Sequence, residues 1–437
     1  MNRAASGARA PDVRTLAPQI YRLCLDKKLT VEEAIDGNSD AARLEPRDRA
    51  LLANILLTAF RHRGEIEAIL KLLLDKPLPR KSGPAADILA LAVAQLLFLA
   101  MPAHAVIDLS VRAAKADRNA QHFAGLVNAV LRKVSVQGQA LREGLDAERL
   151  NTPDWLWQRW TRNHGKGWAR RIAIAHADRP ALDISFKDGS TSFAAELGGI
   201  VLPNGQHRLA PGHAPVPELP GFREGAWWIQ DAAATIPAAL FGDLKGKAVL
   251  DLCGAPGGKT LQLAALGAAV TAVDISEARL ARLRANLART GLSAEIRVLD
   301  VLDDELSGEW DAVLLDAPCS ATGTIRRHPE LPHLKQENQI GDLAQLQRRM
   351  LEKAARLVKP GGLLVYCTCS LEPEEGEEQI ARFLTAHDTF EPVPAALPWL
   401  PVEAVTSAGF VRTLPFMKLG EVEGMDGFFA AMLRRSA

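Results

Sequence analysis

Apolar residues recur at helical spacing through the first third of the chain, then give way to short apolar runs separated by turn residues. From Val13, the positions Leu16, Ile20, Leu23 and Cys24 fall on one helical face. A long helical stretch over residues 47–74 carries Leu51, Leu52, Ile55, Leu56, Ala59, Ile66, Ile69 and Leu70, with a break expected at Gly64. Pro77, Pro79 and Pro84 punctuate the chain before a helix over 85–100, and two more periodic segments follow over 105–115 and 123–134. Residues 1–137 therefore read as an all-α domain. Periodicity weakens after Gly138. Four tryptophans (Trp155, Trp157, Trp160, Trp168), a short apolar run at Leu182–Ile184 and a Pro/Gly-rich tract over 203–221 suggest a small α+β linker domain at 138–230.

From residue 231 onward the pattern changes to apolar runs alternating with helical segments. Strands are expected over 248–253, 269–274, 295–300, 312–315 and 363–368, with a last one within 427–433. Ser276 caps a helix bearing Leu280, Leu283 and Leu287 that Gly291 closes, and a helix through Leu343, Leu346, Met350, Ala354 and Leu357 stops at Pro360-Gly-Gly362. Such alternation predicts an α/β fold with a doubly wound parallel sheet, whose ligands gather at the carboxyl ends of its strands.

The most informative stretch is Asp251-Leu-Cys-Gly-Ala-Pro-Gly-Gly-Lys-Thr260, where a buried strand runs into a Gly/Pro turn and a helix follows. In that geometry backbone N–H groups converge on a ligand that glycines allow to come close. A phosphate-binding P-loop needs glycine five residues before the Gly-Lys pair, and Cys253 stands there. The dinucleotide pattern G-x-G-x-x-G is also missed by Gly254, Gly257 and Gly258. A nucleoside ligand remains. Asp274, twenty residues after Gly254 and at the end of an apolar run, suits a ribose diol, so S-adenosylmethionine fits best.

Composition sets the bounds. With 437 residues, 48% of them apolar, the chain is long enough for two or three cores. It has no run of eighteen uncharged apolar residues, and Met1–Ala10 lacks an apolar signal core. Five cysteines with no C-x-x-C pair indicate neither a disulfide framework nor a zinc site, which points to a cytoplasmic protein with free thiols. Charge cancels overall at 52 basic and 52 acidic residues but is uneven. Residues 1–135 hold 20 Lys/Arg against 14 Asp/Glu, and residues 236–437 hold 21 against 27. A basic N-terminal half is the natural clamp for a polyanion that an acidic half cannot hold alone. Arg47, Arg49, Arg61, Arg63, Lys71, Arg80 and Lys81 either contact phosphates or form solvated helix faces. The tryptophans either stack bases or anchor a helical layer.

Asp251, Asp274, Asp300 and Asp316 are each expected to close a strand of one crevice, and Cys319 and Cys369 follow the fourth and fifth strands. A pyrimidine is too weakly nucleophilic at C5 to take a methyl group unaided. Attack of a thiolate on C6 makes C5 enamine-like, and loss of the C5 proton later expels the thiol. Two cysteines offer one for attack and one for breaking down the adduct.

Three segments in order, Asp251 to Thr260, Leu314-Leu-Asp-Ala-Pro-Cys-Ser-Ala-Thr-Gly-Thr-Ile-Arg-Arg-His-Pro-Glu330 and Tyr366-Cys-Thr-Cys-Ser-Leu371, resemble the RNA cytosine-5 methyltransferase family of Nop2/Sun/Fmu type. The helical N-terminal part, with Pro102-Ala-His-Ala105 and Leu126-Val-Asn-Ala-Val-Leu-Arg132, is similar to NusB and points to the bacterial branch acting on 16S rRNA. The resemblance implies a Rossmann-like class I S-adenosylmethionine-dependent methyltransferase domain at 231–437, preceded by the NusB-like and linker domains. It implies Cys369 as nucleophile, Cys319 in product release and Asp316 on the cytosine edge. Cys253, Gly254, Ala255, Pro256, Gly257, Gly258 and Lys259 would cradle the methionine and ribose, with Lys259 facing the substrate side. Asp274 would take the ribose hydroxyls, and Asp300 would lie by the adenine amine. Arg326 and Arg327 either contact phosphates beside the active site or form surface salt bridges. Two departures stand out: Gly376 replaces an asparagine common in the family, and Cys367 sits where a small residue is usual. A monomer acting on 16S rRNA, free or in a partly assembled small subunit, is expected. Another RNA such as tRNA, a DNA cytosine methyltransferase relying on Cys319, or a non-catalytic RNA-binding assembly factor remain the alternatives.

Overall fold

The structure is a computed structural model that describes residues 12–437 except 80, 189–192 and 304; Arg80 of the basic set lies outside the described residues. The described chain separates into two compact units, one of residues 12–177 with 327–336, the other of 178–326 with 337–437.

The first unit is helical: α1 (Val13–Lys27), α2 (Val31–Asp36), α3 (Pro46–Arg61), α4 (Arg63–Leu73), α5 (Ala85–Leu97), α6 (Ala103–Ala116), α7 (Ala124–Glu143), α8 (Ala147–Asn151), α9 (Asp154–His164) and α10 (Lys166–Ala177). Local signals set several of the ends. Thr30 and Glu33 form a capping box at α2, and Pro46 opens α3, where its missing N–H costs nothing. The face predicted from Leu52, Ile55, Leu56, Ile66 and Ile69 is buried in one core with Ile20, Leu89 and Val127.

Two expectations are corrected here. The break between α3 and α4 falls at His62, whose ring stacks on Phe98 with centroids 3.8 Å apart and whose Nδ1 lies 2.9 Å from Glu65. Gly64 is instead a point of close approach, since a Cβ there would meet the Leu150 carbonyl oxygen at 1.9 Å. Helix α7 runs on through Gly138, which packs against Leu97, so helical structure extends past residue 137 and α8–α10 belong to this unit. Of the tryptophans, Trp160 is buried beside His176 at 5.4 Å, whereas Trp168 is 43% exposed.

Residues 327–336 join this unit although they follow the Pro-Cys segment in sequence. Fully buried Glu330 accepts a hydrogen bond from the Val31 amide (3.2 Å), and Trp155 donates to the Pro332 carbonyl (3.4 Å). His333 stacks at 6.2 Å from Phe60, and burial pushes its pKa down to about 3.

The second unit begins with β1 (Leu182–Phe186), β2 (Ile200–Val201), β3 (His207–Leu209) and β4 (Trp227–Ile229), an antiparallel sheet in the order β2-β3-β1-β4. Its main sheet is built from β5 (Ala248–Leu252), β6 (Ala269–Asp274), β7 (Glu295–Val298), β8 (Trp310–Asp316), β9 (Val358–Thr368), β10 (Phe390–Val393), β11 (Val411–Thr413) and, after the small β12 (Lys418–Leu419) and β13 (Val422–Glu423) pair, β14 (Phe428–Arg435). The order is β10-β14-β9-β8-β5-β6-β7, with β11 also on β14. Strands β9, β8, β5, β6 and β7 are parallel, as predicted. The last strand completes the sheet in the antiparallel sense, in the register Phe429 to Thr368. The crossovers hold α13 (Gly258–Ala265), α14 (Glu277–Thr290) and α16 (Gln339–Arg356); α12 (Ala232–Ala239) precedes β5 and α17 (Glu377–Ala386) follows β9, with α11 (Ala194–Leu197) and α15 (Leu331–Leu334) as short turns elsewhere. Strand order reverses between β5 and β8, which is where ligands of open α/β sheets sit. Among the described residues no helix is long and apolar enough to cross a membrane.

Candidate active site

The loops after β5, β6, β8 and β9 carry most of the predicted chemistry. Cys253 has φ +62° and Gly257 φ +114°, so the turn after β5 folds back sharply into the N-terminus of α13. Gly257 is required twice over: its φ is one that side chains disfavour, and a Cβ would lie 2.4 Å from Leu283. A Cβ on Gly254 would come 2.9 Å from Asp251. Asp251 lies within β5 and does not close it; Thr260 donates to its Oδ2 at 2.6 Å, while Oδ1 is buried with no hydrogen-bond partner among the described residues.

Burial, reinforced by the Asp316 charge, pushes the Asp251 carboxyl up to about 7, although its bond from Thr260 opposes this. A carboxyl whose pKa rises on folding favours the protonated fold. Its contribution is therefore full below about pH 4 and is lost as pH climbs to about 7. Asp251→Asn is expected to flatten the fall in unfolding free energy between pH 5 and pH 8. It should also make the chain more stable than the parent at pH 8, by as much as about 4 kcal/mol. Urea unfolding at the two pH values measures both.

Asp274 ends β6 and is 2% exposed. It accepts from the Ala255 amide (3.3 Å) and the Ser276 amide (2.9 Å), and Arg279 lies 3.6 Å away. It thus ties the glycine turn to the end of the next strand, and each oxygen keeps a second lone pair. Asp300 is exposed two residues beyond β7, where it accepts from the Leu302 amide (2.9 Å); it does not close that strand as expected.

Asp316 ends β8 in register with Cys367 on β9. Lys259 Nζ sits 2.9 Å from Asp316 Oδ2 and 4.9 Å from the Phe428 ring, and the Cys367 thiol donates to Asp316 Oδ1 at 3.5 Å. Burial works against the Lys259 ammonium. The Asp316 carboxylate and nearby sulfurs outweigh it and hold the lysine pKa above its ordinary value. Cys367 is fully buried, and that burial, with Asp316 beside it, raises its pKa, so this extra thiol is poorly suited to attack a substrate.

Cys319 and Cys369, half-buried on separate loops, bring their sulfurs to 3.5 Å. The hydrogen bond with Cys369, then burial, pushes the Cys319 pKa well up. Arg326 is not a phosphate contact as placed. Its buried guanidinium binds Asp426 at 2.7 Å and also Asp231, while Arg327 belongs to the helical unit. The Gly376 departure has a local reason: a Cβ there would meet Arg412 at 2.4 Å, and this arginine holds the Ser370 carbonyl and pairs with Glu377 (2.6 Å). Sequence reading also missed Glu375, which bonds to both cysteine loops; the serine after each cysteine was the available signal.

A parallel sheet with a glycine turn at its order reversal, an acidic residue ending the next strand and a paired-thiol crevice define a methyltransferase of the class I type. The family described as 16S rRNA methyltransferase RsmB/F matches residues 240–434, and the NusB family matches 11–136. The chain is 35% identical to the ribosomal RNA small subunit methyltransferase B of Pasteurella multocida over 97% of this chain and 96% of that one. It is 37% identical to the protein of the same name from Sodalis glossinidius, over 94% and 98%. The solved structure of PH0851 superposes with a TM-score of 0.76 at 26% identity, covering 97% of this chain and 99% of that one. The chain belongs to the RsmB/F methyltransferase family, and it is an S-adenosylmethionine-dependent enzyme. The glycine turn, which side chains would obstruct, and the unpartnered Asp251 oxygen beneath it fit such a cofactor.

Proposed function

We propose that this enzyme methylates C5 of a cytosine in 16S rRNA, at position 967, through a covalent bond between Cys369 and C6 of the base. The observation that carries this reading is the 3.5 Å separation of the Cys319 and Cys369 thiols, which come from different loops. S-adenosylmethionine supplies the electrophilic methyl group. Residues 253–259 hold its methionine and ribose portions, Asp274 takes the ribose hydroxyls and Asp300 lies by the adenine.

Cys369 adds to C6, and Asp316 binds the cytosine edge and favours a proton on N3. Lys259 and Cys367 each engage one oxygen of Asp316 and so fix its orientation. After methyl transfer the C5 proton passes to water, the C5–H electron pair re-forms the C5–C6 double bond and the Cys369 sulfur departs as thiolate. Cys319, whose pKa the hydrogen bond with Cys369 and burial raise, assists that release. The target base must leave its stack, because A-form helices hide base edges. The basic helical domain helps grip the RNA, free or in a partly assembled small subunit, and the enzyme acts in the cytoplasm as a monomer. Bisulfite mapping of 16S rRNA from a strain lacking the gene tests this. Modification at position 967 should vanish and return with the gene; a site that stays fully methylated rejects the assignment.

A further inference from the structure

The two reactive loops are fifty residues apart in sequence but follow the paired strands β8 and β9, and the Ala317 and Gly323 amides donate to the Cys367 and Cys369 carbonyls (3.0 Å each); side chains add a further link. Each cysteine is followed by a serine, and both serines converge on one side chain. The carboxylate of Glu375, in the turn after β9, receives the Ser320 amide on Oε1 at 2.9 Å. It also receives the Ser320 hydroxyl and, at 2.5 Å, the Ser370 hydroxyl on Oε2. Gln347 of α16 adds a fourth bond to Oε1 at 3.0 Å, and the same amide donates to the Pro318 carbonyl at 2.9 Å, one residue before Cys319. The Glu375 backbone is itself pinned, because Tyr366 (2.8 Å) and Thr368 (3.1 Å) of β9 donate to its carbonyl.

We propose that Glu375 is a positioning residue, a buried clamp that sets the separation of the two catalytic thiols by gripping the residue after each. This rests on the reading that Cys319 and Cys369 work as a pair. Glu375 is fully buried, and burying a carboxylate is costly unless its lone pairs are filled. Here four donors fill them. Those donors come from the loop after β8, the loop after β9 and α16, so the bonds that compensate the burial also tie the loops to each other, beside the Gly323 amide on the Cys369 carbonyl and the Leu371 amide on the Thr322 hydroxyl (3.0 Å each). Burial pushes the Glu375 pKa up while the serine and glutamine donors pull it back, as expected for a desolvated but saturated carboxylate. Satisfied buried networks of this kind hold a single geometry, whereas half-satisfied ones loosen.

Glu375→Gln keeps the size but turns one acceptor oxygen into a donor. With its amide nitrogen toward the serines, whose hydroxyls can turn to accept from it, the charge-assisted bonds to the carboxylate become weaker neutral ones and the grip on both loops loosens. In the full-length enzyme, kcat for methyl transfer should fall by about 100-fold, the scale expected for misplacing a reacting group by roughly an ångström, with KM for RNA and cofactor within about 3-fold.

A second readout does not depend on catalysis. Treatment with hydrogen peroxide should join Cys319 and Cys369: two thiols give one disulfide, and the peroxide is reduced to two waters. Peptide mapping with mass spectrometry measures the closure rate and distinguishes Cys367. Closure should slow by about 10-fold or more in Glu375→Gln, and also in Ser370→Ala, which removes one arm and decides the matter if the glutamine variant does not fold. Closure at the parent rate in a folded variant overturns the clamp, as does failure of the parent to close at all. Slowed closure with undiminished methyl transfer upholds the clamp and instead removes the paired-thiol reaction.

Discussion

Cys369→Ala is expected to abolish methyl transfer, by at least about 10⁴-fold, while S-adenosylmethionine still binds with an affinity within a few-fold of the parent. Without a sulfur to add at C6, C5 of cytosine stays too weakly nucleophilic. The turn after β5 that is proposed to hold the cofactor carries Cys253, Gly254 and Gly257, and among the described residues neither these nor Asp274 has a hydrogen bond to the Cys369 side chain. Single-turnover transfer of a labelled methyl group, with calorimetry for cofactor binding, checks both halves. Full turnover by this variant would exclude the role assigned, and would favour the arrangement in which the Pro-Cys thiol attacks.

Cys319→Ala should fail differently. Attack and methylation proceed, but the step that frees the base loses its helper, so the enzyme accumulates as a covalent complex with methylated RNA. Turnover should fall by about 100-fold or more, and a species resistant to denaturing gel electrophoresis should appear within the first turnover. The hydrogen bond with Cys369 and burial raise the Cys319 pKa, which suits Cys319 to the release step rather than to attack. Cys367 does not confuse the experiment, because it is buried and bonded to Asp316.

Much of this was legible in the residues. Period-3.6 apolar positions located α1, α5 and α14, and the runs over 248–253 and 269–274 located β5 and β6, because burial of one face leaves a direct trace in the sequence. The glycine turn and both cysteines could be read because their chemistry depends on residue type. What periodicity cannot report is the partner. Gly64 looks like a breaker and is a contact with Leu150, while the true break depends on His62 meeting Phe98. Arg326 looks like a phosphate ligand, but Asp231 and Asp426, some 95 and 100 residues away in the chain, take it up. Residues 327–336 read as part of the catalytic chain and fold into the helical unit, since the Glu330 contact to Val31 spans 299 positions. Glu375 was hidden in an acidic run that suggests only a solvated turn.

The covalent step is the centre of the account, and one measurement reaches it directly. Cys319→Ala enzyme is incubated with 16S rRNA fragment and S-adenosylmethionine, digested with nuclease and protease, and the cross-linked peptide is sequenced by mass spectrometry. The account predicts a methylated cytidine attached to the peptide containing Cys369. A cytidine attached at any other residue, or no attached nucleotide while methyl transfer continues, would contradict it.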